Sequence, residues 1–292
     1  MKAAIIGLGN MGQKHYNILR EFEDLDVCTV DPHSESSDYR TITDMLDSTC
    51  VDFAVISTPT SSHYENALQL IESGVSVLIE KPVFKDYLSI FQLQDLEAAL
   101  ERNSVKLAVG HIERFNPAIQ ALLKELEDKH IINCRFTRIG SYPKRITDVG
   151  VRMDLAVHDI DLVRFITGEE VLNCSSLESN IKGRNEDTAT YFISTFGGSS
   201  ATILCSWMSP IRERTIQVMT EHALYRVNLI TQAVVKYFTE DGGLSFVATD
   251  IKFNKENALK NQLKQFIDYV NIGESGSLAK LHDGLAAMKY CI

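Results

Sequence analysis

Hydrophobic positions along the first part of the chain come in two alternating forms. Short runs, apolar almost throughout, at Ala3–Ile6, Val27–Val30, Asp52–Ser57, Ser76–Ile79 and Lys106–Val109 stand between longer stretches whose apolar residues recur three or four apart. Such a short run suits a strand covered on both faces, and the longer spacing suits an amphipathic helix. The spacing predicts helices over 11–22, 41–47, about 61–73 and 87–102, the last anchored by Ile90, Leu93, Leu96 and Leu100. Ser61 or Ser62 is placed to cap the third of these, and Gly74 to close it. Strand and helix in strict alternation imply a parallel, doubly wound α/β sheet, a Rossmann-type domain.

The pattern changes after a helix predicted from Pro117 to about Asp128. Segments rich in Val, Ile, Thr, Phe and Tyr then recur at 132–141, 172–181, 188–196, 200–207, 214–220, 224–229, 233–237 and 244–248. Gly197-Gly198 and Gly242-Gly243 mark hairpin turns between them. A single strong helix, 154–167, interrupts the strands, and helices over 256–272 and 283–290 close the chain. The expectation is a second, α+β domain: a mostly antiparallel open sheet with helices on one side. The division is placed at 1–118 and 119–292, the late helix being free to pack back on the first domain. No internal repeat or low-complexity stretch is visible.

Composition narrows the function classes. At 292 residues, 45% hydrophobic and 23% charged, the chain has ordinary globular proportions and room for two cores. A formal net charge of -10 argues against the nucleic-acid backbone as a partner. No apolar stretch approaches the ~20 residues of a membrane span, and no secretory leader is recognisable at the start. The six cysteines are widely separated and form no Cys-x-x-Cys pair, so neither a zinc nor a redox site is expected. Free thiols fit a reducing, cytoplasmic setting.

The first candidate chemistry follows strand one at once: Gly7-Leu8-Gly9-Asn10-Met11-Gly12 opens a helix. Glycines at these spacings permit a tight turn, close approach of a pyrophosphate and close helix–strand packing. The helix N-terminus then offers free N–H groups and a positive dipole end to an anion. Asp31 ends strand two, 19 residues after Gly12, against an expected ~20 for the acid that reads the adenosine ribose hydroxyls. No Lys or Arg lies between Asp31 and Arg40 to hold a 2′-phosphate, which favours NAD over NADP.

Two further stretches add a reaction. Glu80-Lys81-Pro82 ends strand four, and ligands of open α/β sheets sit outside the carboxyl ends of the strands. Asp154 and His158 lie four apart, on one face of a predicted helix. Together with Gly110-His-Ile-Glu-Arg114-Phe-Asn116-Pro117, these motifs resemble, in order and spacing, the glucose-fructose oxidoreductase / inositol dehydrogenase / MocA family. The likeness runs along essentially the whole chain, although family members often continue beyond the last helix. The resemblance implies NAD(P) bound by the N-terminal domain. It places Gly7, Leu8, Gly9, Asn10, Met11, Gly12 and Asp31 at the cofactor, with Ser57, Thr58, Pro59, His63, Glu80 and Lys81 beside it. Lys81, His158 and Asp154 are the implied catalytic residues: a lysine at substrate hydroxyl and nicotinamide ribose, a catalytic histidine, and an acid that binds substrate or orients it. The chemistry agrees, since an imidazole suits proton acceptance near neutrality and an ammonium stabilises a developing alkoxide. No metal is implied. A homodimer or homotetramer through the C-terminal sheet is the implied assembly.

The sugar is approached through charge. Arg135, Arg138, Lys144, Arg145 and Arg152 against the single acid Asp148 form a local basic cluster in an acidic chain, to which Arg114 can add. Arginine forks match phosphate oxygens. The motifs most resemble a nucleotide-sugar branch of the family, so Arg114, Asn116, Arg145, Arg152 and Asp154 are the expected substrate contacts. The expected reaction is oxidation of a secondary hydroxyl of a nucleotide-activated amino sugar. A free-sugar or inositol dehydrogenase and a non-catalytic dinucleotide sensor are the alternatives, and the cluster equally suits solvent-facing residues on a strand and loop.

Overall fold

The computed structural model describes residues 1–143, 149–183, 185–240 and 245–292. The chain divides into two compact units, Met1–Ile112 with Leu259–Leu285, and Glu113–Ala258 with Ala286–Ile292.

The first unit is a five-stranded parallel sheet in the order β2-β1-β3-β4-β5, made by β1 (Lys2–Ile6), β2 (Asp26–Val30), β3 (Phe53–Ile56), β4 (Ser76–Ile79) and β5 (Leu107–Val109). The crossovers carry α1 (Asn10–Leu19), α2 (Ile42–Ser48), α3 (His63–Glu72) and α4 (Ile90–Asn103). Every residue of β3 and β4 is buried, as their unbroken apolar runs require. Because β1 lies between β2 and β3, the connections leave it in opposite directions. That reversal opens a crevice at the carboxyl end of β1, where open α/β sheets bind their ligands.

Helix α4 begins three residues later than its apolar spacing predicts. Ser89 caps it, its hydroxyl accepting from the Gln92 N–H while the Gln92 side chain accepts from the Ser89 N–H. Ile90, expected as a core anchor, therefore sits in the first turn and is exposed, whereas Leu96 is fully buried. The expected division at 118/119 also moves. The chain passes to the second unit after Ile112, and 259–285 returns to the first. Phe266 of α7 (Ala258–Ile272) meets Phe53 edge-on at 5.5 Å, and Ala279 forms a backbone bridge with Val109. Helix α8 (Leu281–Met288) follows.

The second unit is an eight-stranded sheet, ordered β13-β12-β11-β10-β6-β9-β8-β7. In chain order its strands are β6 (Ile131–Ser141), β7 (Val171–Ser179), β8 (Thr188–Thr195), β9 (Ser200–Ser206), β10 (Met208–Thr220), β11 (Ala223–Asn228), β12 (Ala233–Phe238) and β13 (Val247–Asp250). All neighbours pair antiparallel except β6 with β9. The hairpin expected at Gly197-Gly198 joins β8 to β9, with Gly198 at φ +96°. The one expected at Gly242-Gly243 lies outside the described residues. Helix α5 (Pro117–Leu126) packs on β11 and β12, and α6 (Val157–Thr167) on β6 and β9. Among the described residues, no helix is long and apolar enough to cross a membrane.

Candidate functional site: a dinucleotide cradle and a histidine helix

The cradle in the first unit is built from backbone. Gly7 has φ +91°, a left-handed conformation that side chains rarely adopt, and a Cβ there would press at 3.0 Å on Ser57 and Thr58. A Cβ on Gly12 would fall on the Gly7 carbonyl oxygen, so α1 can lie against the turn only with glycine at that position. Gly9 instead faces open space, leaving the backbone approachable. Gly9 also caps α1 without a side chain, so the first-turn amides of Asn10 and Met11 have no side-chain acceptor. The Ser57 hydroxyl, buried at the end of β3, has no protein partner. Amides without a side-chain cap, open space and an orphaned hydroxyl fit a bound pyrophosphate and its nucleotide.

Asp31 is fixed before any ligand arrives. One carboxylate oxygen accepts from the Leu8 N–H at 2.7 Å and the other from the His33 N–H at 2.8 Å. Partial burial opposes its charge, but the N–H groups of Leu8, His33 and Ser34 outweigh it and hold the carboxyl below the usual aspartate range. The acid thus also ties the glycine turn to β2. Arg40, nine residues after Asp31, folds back so that its guanidinium donates to the Ser34 carbonyl at 2.8 Å.

Beneath Lys81, the carboxylate of Glu80 meets Nε2 of His15 at 2.7 Å, and its other oxygen accepts from the Lys81 N–H at 3.3 Å. Burial opposes the charge of Glu80, while His15 and Lys81 hold its pKa below the usual range. His15 is fully buried on α1, so the pair links the phosphate-facing helix to the lysine turn. The Lys81-Pro82 peptide bond is cis. His63 braces the same turn. Its Nε2 lies 3.0 Å from the Thr58 carbonyl, and its Nδ1 lies 3.1 Å from the carbonyls of both Pro82 and Val83. Burial pushes its pKa down, against the pull of those three carbonyls. Of the residues expected at the cofactor, His63 is therefore enclosed by backbone at 1% exposure. Asn66 secures the Thr58 hydroxyl at 3.1 Å, and Pro59 leads into a single 3-10 turn before α3.

In the second unit, Asp154 and His158 do not share a regular α-helix. Arg152–Ala156 forms a π-helical turn, the Val157 N–H bonding back to the Arg152 carbonyl, and α6 starts only at Val157. Such turns are frequent at functional sites, because the extra residue re-aims the side chains around it. Both side chains are half-buried.

Among the described residues, the arginines of the expected basic cluster lie on different faces. Arg135 is exposed on one face of β6, while Arg138 points into the opposite face, as strand alternation demands. Arg138 forks onto Asp159 and reaches Glu113 at 3.0 Å. Arg114 forks onto Asp161 at 2.6 and 2.8 Å and is 4% exposed. Asn116 is spent on structure. Its oxygen caps α5 through the Ala118 N–H, and its amide donates to Glu113 and the Leu229 carbonyl. Arg152 binds Glu178, the Tyr191 hydroxyl and the carbonyls of Tyr290 and Ile292. Arg145, with Lys144 and Asp148, lies outside the described residues. Glu113, Asp159 and Asp161 are the carboxylates that claim Arg138 and Arg114, and their presence in the sequence is the signal for that pairing. Among the described residues, no group of His, Cys, Asp and Glu is arranged to hold a metal ion.

Comparison with known proteins agrees with this architecture. Residues 1–111 match the model of an oxidoreductase family with an NAD-binding Rossmann fold, and residues 126–226 match the GFO/IDH/MocA C-terminal domain. The UDP-N-acetylglucosamine 3-dehydrogenase of Acidithiobacillus ferrooxidans is 28% identical over 226 residues, 75% of this chain and 70% of that protein. The inositol 2-dehydrogenase of Renibacterium salmoninarum is 28% identical over 188 residues, 59% of this chain and 56% of that one. A solved structure of the Acidithiobacillus enzyme superposes with a TM-score of 0.87 over 100% of this chain and 94% of its own, a likeness of fold at 22% identity. The chain belongs to the GFO/IDH/MocA oxidoreductase family and is a nicotinamide-dinucleotide-dependent dehydrogenase.

Proposed function

We propose that the chain oxidises a secondary hydroxyl of a sugar with NAD, and that the sugar is a nucleotide-activated amino sugar. The observation that carries the reading is the pre-fixed Asp31 carboxylate beside an uncapped glycine turn, in a chain that also presents Lys81 at a strand end and His158 on a π-distorted helix start. NAD supplies the hydride acceptor when bound. The residues of the chain do the rest. The α1 amides receive the pyrophosphate, and Asp31 accepts from the ribose hydroxyls and repels a 2′-phosphate. Lys81, steadied by Glu80 and the His63 brace, stabilises negative charge on the substrate oxygen. His158 accepts the hydroxyl proton, and Asp154 orients the ring or binds a sugar hydroxyl.

The nucleotide-sugar preference rests on the resemblance to the Acidithiobacillus enzyme, named for UDP-N-acetylglucosamine. A free polyol such as an inositol is the second reading. It is favoured by the internal pairing of Arg114, Arg138 and Arg152, which leaves those arginines committed before any diphosphate arrives. NADH formation against a panel of UDP-sugars and inositols separates the two. Turnover of UDP-N-acetylglucosamine with none of myo-inositol supports the first reading, and the reverse pattern replaces it with the second.

A further inference from the structure

Behind His158 lies a buried charge network that the reaction scheme does not use. Nε of Arg138, on β6, donates to both oxygens of Asp159 at 3.0 Å, and Nη2 donates to one of them at 2.7 Å. Nη1 donates to Glu113 at 3.0 Å; Glu113 also faces Arg214 at 3.5 Å and accepts from Asn116 at 3.2 Å. Arg138 and Asp159 are each 2% exposed. Two residues further along α6, Arg114 forks onto Asp161 and stacks over Phe165, 4.7 Å from the ring centre. Three arginines therefore meet three carboxylates around the first turn of α6, and two of those carboxylates follow His158 directly, at the next and third positions.

A network of this kind is a poor way to gain stability. Desolvating paired ions costs several kcal/mol per ion, and an apolar core of the same volume is often at least as stable. What a fork does supply is direction, because its two parallel hydrogen bonds fix both position and rotation. Direction is scarce at this point of the chain. The π-helical turn Arg152–Ala156 shifts the hydrogen-bond register by one residue just before α6, so the first α6 turn is rotated from where a regular helix would carry it.

We propose that the Arg138–Asp159 fork, backed by Glu113, is a positioning device that sets the rotation of the first turn of α6 and so aims His158 at its substrate. The inference rests on the reading of His158 as proton acceptor. Arg138 is then a positioning residue.

The test compares Arg138→Lys with the double variant Arg138→Met/Asp159→Leu, using the sugar that the NADH panel identifies. The double variant removes both charges together, so neither is left buried and alone. It is expected to keep wild-type thermal stability and NADH binding while kcat falls about 10²-fold, the scale of a misplacement of ~1 Å. Arg138→Lys keeps the charge but not the fork; its kcat is expected to fall about tenfold with KM for the sugar nearly unchanged. A merely structural pair predicts the opposite, with stability and kcat recovering together in the double variant. Wild-type kcat in a folded double variant, or in Arg138→Lys should the double variant fail to fold, overturns the proposal. His158→Ala is run alongside. Wild-type turnover in that variant refutes the histidine reading itself, an outcome distinct from failure of the fork.

Discussion

Asp31→Asn isolates the acid that holds the glycine turn and that we propose selects the cofactor. Two different oxygens of Asp31 accept two different backbone donors, Leu8 at 2.7 Å and His33 at 2.8 Å. Asparagine has one acceptor oxygen, so one donor keeps a neutral partner and the other meets an NH₂ group. Losing a hydrogen bond to a charged acceptor costs about 1.5–3 kcal/mol. Since Leu8 belongs to the turn that receives the pyrophosphate, much of that cost falls on cofactor binding. NADH affinity is expected to weaken at least tenfold, at ~1.4 kcal/mol per factor of ten. The effect on NADPH runs the other way. A carboxylate about 5 Å from a doubly charged 2′-phosphate, with water-like screening, is worth about 1.7 kcal/mol of repulsion, or roughly tenfold in affinity. Both dinucleotides carry the pyrophosphate, so the turn effect cancels and the ratio of NADPH to NADH affinity should rise by about one order of magnitude from the lifted repulsion. Titration by quenching of protein fluorescence measures both constants, with urea unfolding as the stability control. The acid also carries a pH signature. Its folded pKa is depressed, so its contribution to stability is complete above the ordinary aspartate range and is lost as pH falls through the lower folded value. Asp31→Asn should lose that acid-side step. An NADH affinity within about twofold of wild type, together with an unchanged ratio, would refute the role assigned to Asp31.

Further outcomes follow from the same geometry. Gly12→Ala places a methyl group on the Gly7 carbonyl oxygen and is expected to abolish NADH binding, read by the same titration. His63→Ala removes the brace between the Thr58 loop and the Pro82–Val83 turn; kcat should fall while NADH affinity changes little, separable by steady-state and binding measurements. Arg114→Met removes the fork that the buried Asp161 accepts and should cost about 3–5 kcal/mol in urea unfolding, whereas Arg114→Met/Asp161→Leu should recover most of it. Glu113 is held below the usual glutamate range despite burial, because Arg138, Arg214 and Asn116 favour its charged form. Stability from this group is present above the ordinary glutamate range and lost as pH falls through the folded value, so Glu113→Gln should flatten the acid limb of an unfolding profile.

The first unit is legible in the sequence because its signals are local. A strand covered on both faces must be apolar throughout, and a backbone cradle for pyrophosphate demands glycines at set intervals. Both facts can be read without knowing what packs against what. The start of α4 was misplaced because apolar spacing competes with capping chemistry, and the Ser89–Gln92 box defines the end more sharply than Ile90 does. The cluster 135–152 is less legible for a different reason. Its arginines are close in sequence, but strand alternation sends Arg135 and Arg138 to opposite faces, and their partners Glu113, Asp159 and Glu178 come from other elements. Long-range pairing leaves no local trace. The same holds for His15 with Glu80 and for His63 with the Lys81 turn, each joining residues at least nineteen apart. The π-helical turn before His158 is written in no spacing rule at all.

The most direct measurement is steady-state NADH formation by wild type, Lys81→Ala and His158→Ala across the UDP-sugar and inositol panel, with NADH binding measured on the same preparations. Turnover by wild type, lost in both variants while NADH still binds, is the expected result. Wild-type rates in both variants would contradict the assignment of alkoxide stabilisation to Lys81 and proton acceptance to His158.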